Sequence, residues 1–393
     1  MASDSALPLE GTIVADFTRV LAGPLASMTL ADLGATVIKV EEPGGGDGTR
    51  GWGPPYSSTG ATYFEAVNRS KQSIVLDLKS PEGRRLAREL CHRADVVMEN
   101  FRSGVMDRLG LGYDSVRASN PNVVYCSITA FGSGEGANLP GFDFAVQAMS
   151  GLMSITGHPD GEPTKVGVAI VDVLAGKDAT IGILAALRKR DLSGEGTRLE
   201  VSLLASILQG MANQTQAVIG AGVTPHRLGN VHPSVVPYQP FKCADDYIAV
   251  ASGTEKQFIA LCVELGLPDL PGDPRFADNQ ARVAHQKELE VVLSAVMRDH
   301  SAADLVDRLM ARGVPASKIA NIAEALERAD ELGLDVVTNV PSSRGPIAQV
   351  RHPVRYSSQV VAPMSAPPEL DAQGAEVRAW LNQVWPEREA REA

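Results

Sequence analysis

The chain reads as an α/β protein: a Rossmann-like large domain with a parallel sheet, plus a smaller α+β domain. Three observations predict this. Short β-rich runs alternate with helical segments through the first third, the pattern of strands crossed over by helices. The 393 residues exceed one ordinary core, so two domains are expected. A run holding Pro225, Pro233, Pro237 and Pro240 then breaks the chain where no long helix can form.

Thr12–Phe17 (TIVADF) is the first strand-like run, and Gly23–Leu33 is small and helical. Thr36–Glu41 and Ser73–Leu78 are strand-like again, and Pro81–Arg93 follows with a proline suited to a first helical turn. Asp95–Met98 and Asn122–Ile128 complete the alternation. The first strand leads into VLAGP rather than GxGxxG, which argues against a dinucleotide site. The glycine-rich loop 44–55 after the second strand is either a plain surface connection or a nest of backbone N–H groups facing a ligand. Arg198–Ile219 reads as a helical, apolar stretch and Thr224–Pro240 as a linker. Phe241–Ser252 has strand character, Asp278–Gly313 is helical, Gly345–Ser358 is extended, and Glu376–Trp385 is a last helix. The expected domains are 1–220 with 331–393 for the large one and 225–330 for the small one.

Hydrophobic content of 44% and charged content of 21% belong to a folded, soluble chain. No apolar run reaches the roughly 20 residues that span a membrane. Met1–Leu7 has neither the basic start nor the apolar core of a signal peptide, so a cytoplasmic protein is expected, with no membrane partner. A net charge of −11 argues against nucleic acid. Cys91, Cys126, Cys243 and Cys262 form no CxxC pair and read as buried thiols. The seven histidines show no ligand spacing, so no metal site is expected.

What stands out is Asp172, a lone carboxylate within the largely apolar stretch 166–187. Acids are seldom buried unless paired or hydrogen-bonded. Either this Asp caps a buried helix, or it is a poorly hydrated carboxylate kept for chemistry. Asn68, Lys71 and Lys79 bracket the third strand, and Asn100, Arg102 and Arg108 follow the fourth. Residues after the strands of an open α/β sheet line its ligand crevice, where Lys and Arg suit phosphate groups. A solvated rim is the alternative.

Several segments carry a resemblance. Leu9–Pro24 (LEGTIVADFTRVLAGP), Ala31–Pro43 (ADLGATVIKVEEP), Asn68–Gly83 and Glu99–Gly112 resemble the amino-terminal half of the class III CoA-transferases. That family includes formyl-CoA transferase and carnitine CoA-transferase. Gly141–Gly157, Gly229–Pro237, Asp273–Arg282 and Gly313–Ala316 continue the match, which runs over about residues 7–365. The resemblance implies transfer of CoA from an acyl-CoA donor to a small free carboxylic acid, with Asp172 as nucleophile. It implies coenzyme A contacts at Val20, Leu21, Leu76, Lys79, Asn100, Phe101, Arg102 and Arg108, with Phe142 and Asp143 beside the thioester. It further implies no permanently bound cofactor and an intertwined homodimer.

The chain departs from the family in three places. The stretch aligned with the long glycine loop of formyl-specific members is Ala251–Phe258, with Gly253 as its only glycine. Gln373 stands where many relatives have His. α-Methylacyl-CoA racemases share the fold but need a His where this chain has Phe142, which accepts no proton. A racemase and a non-catalytic CoA-binding protein are the competing readings. Gln147 reads as site lining or helix surface, and Gly253–Lys256 as a lid or an ordinary turn.

Overall fold

The computed structural model describes residues 7–384. The chain divides into two units. The larger takes the chain up to Leu152, Lys165–Val223 and everything from Asp335 on, and the smaller takes Met153–Thr164 with Thr224–Leu334.

The larger unit is built on six parallel strands in the order β3-β2-β1-β4-β5-β6. They are β1 (Ile13–Asp16), β2 (Thr36–Glu41), β3 (Lys71–Val75), β4 (Val96–Glu99), β5 (Val124–Thr129) and β6 (Thr197–Ser202). Alternate residues of these strands feed two separate cores, because a strand points successive side chains to opposite faces. Val14, Val37, Val96, Met98 and Cys126 face helices Ala22–Asp32, Ile170–Ser193 and Leu203–Gly210. Ala15, Ile38, Val97 and Tyr125 face helices Pro81–Arg93, Tyr113–Ser119 and Gly374–Leu381. Ser80 caps Pro81–Arg93 by accepting from the Gly83 N–H at 3.0 Å, with Pro81 at the first turn as its residue type predicts.

Within the first face, Ile170–Ser193 crosses Ala22–Asp32 at Gly176. A Cβ there would meet the Ala22 carbonyl oxygen at 2.7 Å, so glycine is required for the approach. The same helix packs Val171, Ala175, Ala179 and Ile183 into this core with Val96, Cys126 and Ile128 of the sheet.

Three expectations are corrected. Arg198–Ser202 does not open a helix; it belongs to the edge strand β6, because its backbone completes the parallel ladder on β5, with Tyr125 opposite Arg198. Helices follow only at Leu203–Gly210 and Asn213–Ala221. The other edge, β3, is closed by side chains of the carboxyl-terminal return. The Ser73 N–H donates to Gln373 Oε1 (3.0 Å) and the Val75 N–H to Asp371 Oδ1 (2.8 Å). The same return carries an antiparallel hairpin of Val337–Val340 with Ile347–Val350. Its final helix ends at Leu381, while Trp385, the end predicted for it, lies outside the described residues, as do Met1–Ala6.

The smaller unit holds the antiparallel sheet β7 (Tyr238–Lys242), β8 (Tyr247–Ala251), β9 (Ala316–Lys318), packed with helices Glu255–Glu264, Gln286–Met297 and Ala302–Ala311. Pro240, read as linker, stands inside β7. An edge strand tolerates proline because its outer N–H has no partner to lose. Met153–Thr164, placed with the large domain from sequence, joins this unit through Arg227, whose guanidinium donates to the carbonyls of His158, Pro159 and Gly161.

Candidate active site

The sheet order reverses between β1 and β4, and at such a switch point the loops leaving the strands diverge and open a crevice. A cavity of about 340 Å³ lies there, walled by Val20 and Leu21 after β1, Asn100–Ser103 after β4 and Ala130–Gly132 after β5. Asp172 and Phe142 complete its wall.

Buried polar groups brace these loops. Asp16, at the end of β1, accepts from the Thr18 N–H (2.9 Å), the Ser27 hydroxyl (2.6 Å) and the Lys71 ammonium (3.2 Å). Burial alone would raise its carboxyl, but Lys71, Lys39 and the two hydroxyls of Ser27 and Thr18 hold it at about 2. Burial in turn pushes Lys71 down to about 8, against the pull of Asp16. Lys71 is thus committed to this network and not to a ligand. The next residues bend sharply: Val20 has φ +69°, and its N–H donates to Asp47 at 3.3 Å. A β-branched residue there is strained, so the surrounding bonds must impose the bend. Asn100 clamps the same loop from the other side, accepting from the Arg19 N–H (2.9 Å) and donating to the Arg19 carbonyl (2.8 Å).

The glycine-rich loop 44–55 contributes to this bracing. Asp47 pairs with Lys39 at 2.9 Å and caps the short turn Gly48–Gly51 through the Thr49 N–H. Its amides therefore serve the scaffold, while Trp52, exposed near its end, reaches a second cavity.

Asp172 lies in the first turn of Ile170–Ser193 and is 9% exposed. Burial, reinforced by the negative charge of Asp143, pushes its carboxyl up to about 7. The amides at this helix start do not steady that charge. The Val171 and Asp172 N–H groups both donate to Asp143 Oδ1, at 2.8 and 3.3 Å. No donor to the Asp172 carboxylate is found among the described residues. Asp172 therefore does not cap its own helix; Asp143 does.

A second cavity, of about 320 Å³, meets the first at Asp172. Its wall includes Trp52, Tyr63, Asp143 and Lys165, and Val20, Phe142 and Asp172 belong to both cavities. Burial raises the Tyr63 phenol, with Asp172, Asp143 and Asp47 adding to the effect. Tyr63 packs edge-on against Trp52, ring centroids 5.2 Å apart.

Of the residues implied from sequence, Val20, Leu21, Asn100, Phe101, Arg102, Phe142 and Asp172 line the first cavity, and Asp143 the second. Leu76, Lys79 and Arg108 are not brought to either. Leu76 is buried in the core beneath Pro81–Arg93. Lys79 is exposed on the turn after β3, and Arg108 is exposed at the end of the short helix Val105–Arg108. Gln147 is fully buried and bonded to Asp143, not on a helix surface. Gly253–Lys256 is the start of helix Glu255–Glu264, where Thr254 and Gln257 form a capping box. Trp52, Tyr63 and Lys165 were missed; only Trp52 carried a signal, as part of the glycine-rich loop. Among the described residues no group of three His, Cys, Asp or Glu gathers to hold a metal ion, and no helix is long and apolar enough to cross a membrane.

Comparison with known proteins places the chain in a family. The sequence model of CoA-transferase family III matches residues 9–374. The succinate–glutarate CoA-transferase of Agrobacterium fabrum is 43% identical over 364 residues, 89% of this chain and 91% of that protein. The acetyl-CoA:oxalate CoA-transferase of Acetobacter aceti is 38% identical, covering 94% of this chain and 95% of its own. The crystal structure of a CAIB/BAIF family protein from Brucella suis superposes with a TM-score of 0.86 at 40% identity, over 96% of this chain and all of that one. The chain belongs to CoA-transferase family III and is a CoA-transferase.

Proposed function

We propose that the protein moves CoA from an acyl-CoA to a free dicarboxylic acid of four or five carbons, with Asp172 as the covalent relay. The carrying observation is a buried carboxylate with no hydrogen-bond donor among the described residues, standing in the wall shared by two cavities. The Asp172 oxygen attacks the thioester carbonyl; the C–S bond breaks, CoA leaves as thiolate, and a mixed anhydride remains. The thiolate attacks the Asp172 acyl carbon and expels the donor carboxylate, giving an aspartyl-CoA thioester. The acceptor carboxylate then attacks that thioester, and the returning thiolate releases acyl-CoA and free Asp172. Each step exchanges acyl groups of similar energy, so no ATP or metal enters. Poor hydration keeps the nucleophile reactive, and exclusion of water protects the anhydrides.

The first cavity suits the pantetheine arm, with Asn100, Phe101 and Arg102 in its wall. The second suits the acid, with Trp52 and Tyr63 as walls and Lys165 as a cation for a distal carboxylate. Relatives named for succinate and glutarate support that substrate class. A homodimer is part of the reading. Helix Asn213–Ala221 has no buried residue, and Ile219 (73% exposed) and Ile181 (65%) leave large apolar side chains for a second copy to cover.

The test is to mix the protein with succinyl-CoA and no acceptor, then quench with hydroxylamine. A hydroxamate on Asp172 is expected, and Asp172→Ala is expected to abolish transfer. Undiminished transfer by Asp172→Ala removes the mechanism.

A further inference from the structure

The first four N–H groups of a helix have no partner inside it, and an acidic side chain in the first turn is ordinarily steadied by them. At Ile170–Ser193 the donors of Ile170, Val171 and Asp172 are all spent away from the Asp172 carboxylate. Ala169, at the cap position, offers no side-chain acceptor. The Ile170 N–H donates to the Val168 carbonyl (2.8 Å), and the Val173 N–H makes the first bond of the helix itself, to the Ala169 carbonyl (3.1 Å). The two amides between them go to Asp143 Oδ1, at 2.8 and 3.3 Å.

Asp143 is itself held in place. Its Oδ2 accepts from Gln147 Nε2 at 2.6 Å, one turn along the helix Asp143–Met149. Gln147 is fully buried, and its Oε1 accepts from the Val166 N–H at 2.9 Å, tying down the segment that enters the long helix. The carboxylate of Asp143 is thus clamped against the amide of Asp172.

Taking Asp172 as the acyl acceptor proposed above, we infer that Asp143, fixed by Gln147, is a positioning residue for the transfer. It occupies the amides that would hydrogen-bond the nucleophile and sets a second negative charge beside it. A carboxylate stripped of donors and next to a like charge is a stronger base and a better nucleophile than one wrapped in amides. The other charged or titratable groups lining the two cavities around Asp172 are Arg19, Arg102, Tyr63 and Lys165. Of these only Tyr63 comes from a neighbouring helix, Thr62–Glu65. None of the four is hydrogen-bonded to Asp172 among the described residues.

The test separates charge from capping. Asp143→Asn keeps an oxygen for the Val171 and Asp172 amides but removes the charge. Asp143→Ala removes both. The Asp172 carboxyl is followed by infrared titration of the unliganded protein, identified as the carboxyl band lost in Asp172→Asn. Its midpoint should fall by about one pH unit in Asp143→Asn and further in Asp143→Ala, where the freed amides can turn to Asp172. In Asp143→Asn, kcat should fall severalfold with little change in the KM for acyl-CoA, a split that a purely structural role would not produce. An unmoved midpoint overturns the inference even if the Asp172 thioester forms. A moved midpoint with no thioester in the wild-type protein instead overturns the proposed reaction and leaves the coupling to Asp143 standing.

Discussion

Replacing Asp172 by Asn should make the protein more stable while it destroys transfer. The native state holds this carboxyl near pH 7, whereas an unfolded chain leaves it near 3.8. Between those values the native state binds more protons than the unfolded one, so stability falls as pH rises through the window and levels off above it. Each pH unit is worth about 1.4 kcal/mol, so the raised carboxyl costs the native protein about 4 kcal/mol at pH 8, where it is ionised, and about 1.7 kcal/mol at pH 5, where only the unfolded chain ionises. The neutral side chain of Asp172→Asn would carry no such cost, and its amide could donate to Asp143. The expected gain at pH 8 corresponds to a rise in Tm of roughly 5–8 °C for the larger unit. Calorimetry of both proteins at pH 5 and pH 8 measures the gap at each end. An Asn variant no more stable than wild type at pH 8, or a gap that fails to narrow on acidification, refutes the claim that Asp172 is a strained, uncompensated charge. Such a trade of stability for reactivity is what a site built for covalent chemistry predicts.

Two further outcomes follow from the site and the sheet edge. Lys165→Ala should raise the KM for glutarate or succinate as acceptor about tenfold while sparing a monocarboxylic acid of the same length, the loss expected for one exposed charge on a distal carboxylate. Steady-state assays with paired acceptors check this, and equal losses for both would remove Lys165 from substrate selection. Gln373→Ala leaves the Ser73 N–H of β3 without its 3.0 Å acceptor and should cost about 1 kcal/mol in denaturant unfolding, with kcat unchanged. A larger loss of activity than of stability would show that Gln373 does more than close the sheet edge.

How much of this was legible in the sequence depends on the range of the forces involved. The strands β1, β2 and β5 and helix Pro81–Arg93 could be read because their apolar content, Pro81 and Ser80 are local signals. The edge strand β6 could not: Arg198 and Glu200 are exposed, and only the ladder from β5 makes the segment a strand. In the same way Asp172 was visible as an acid out of place, but its lack of a donor was not, because the Asp143 carboxylate that takes its amides is 29 residues away in sequence. The basic residues show the limit most clearly. A Lys flanking a strand reads as a phosphate ligand, yet Lys71 is bound to Asp16, Asn68 and the Pro24 carbonyl inside the scaffold. Asn100 lines the crevice and at the same time spends both ends of its amide on the backbone of Arg19. At a crevice formed where loops diverge, polar residues must first hold the strained loops, such as the bend at Val20, before any can serve a ligand. Residue type therefore locates the site, while the division between scaffold and ligand-facing groups is decided by long-range pairing.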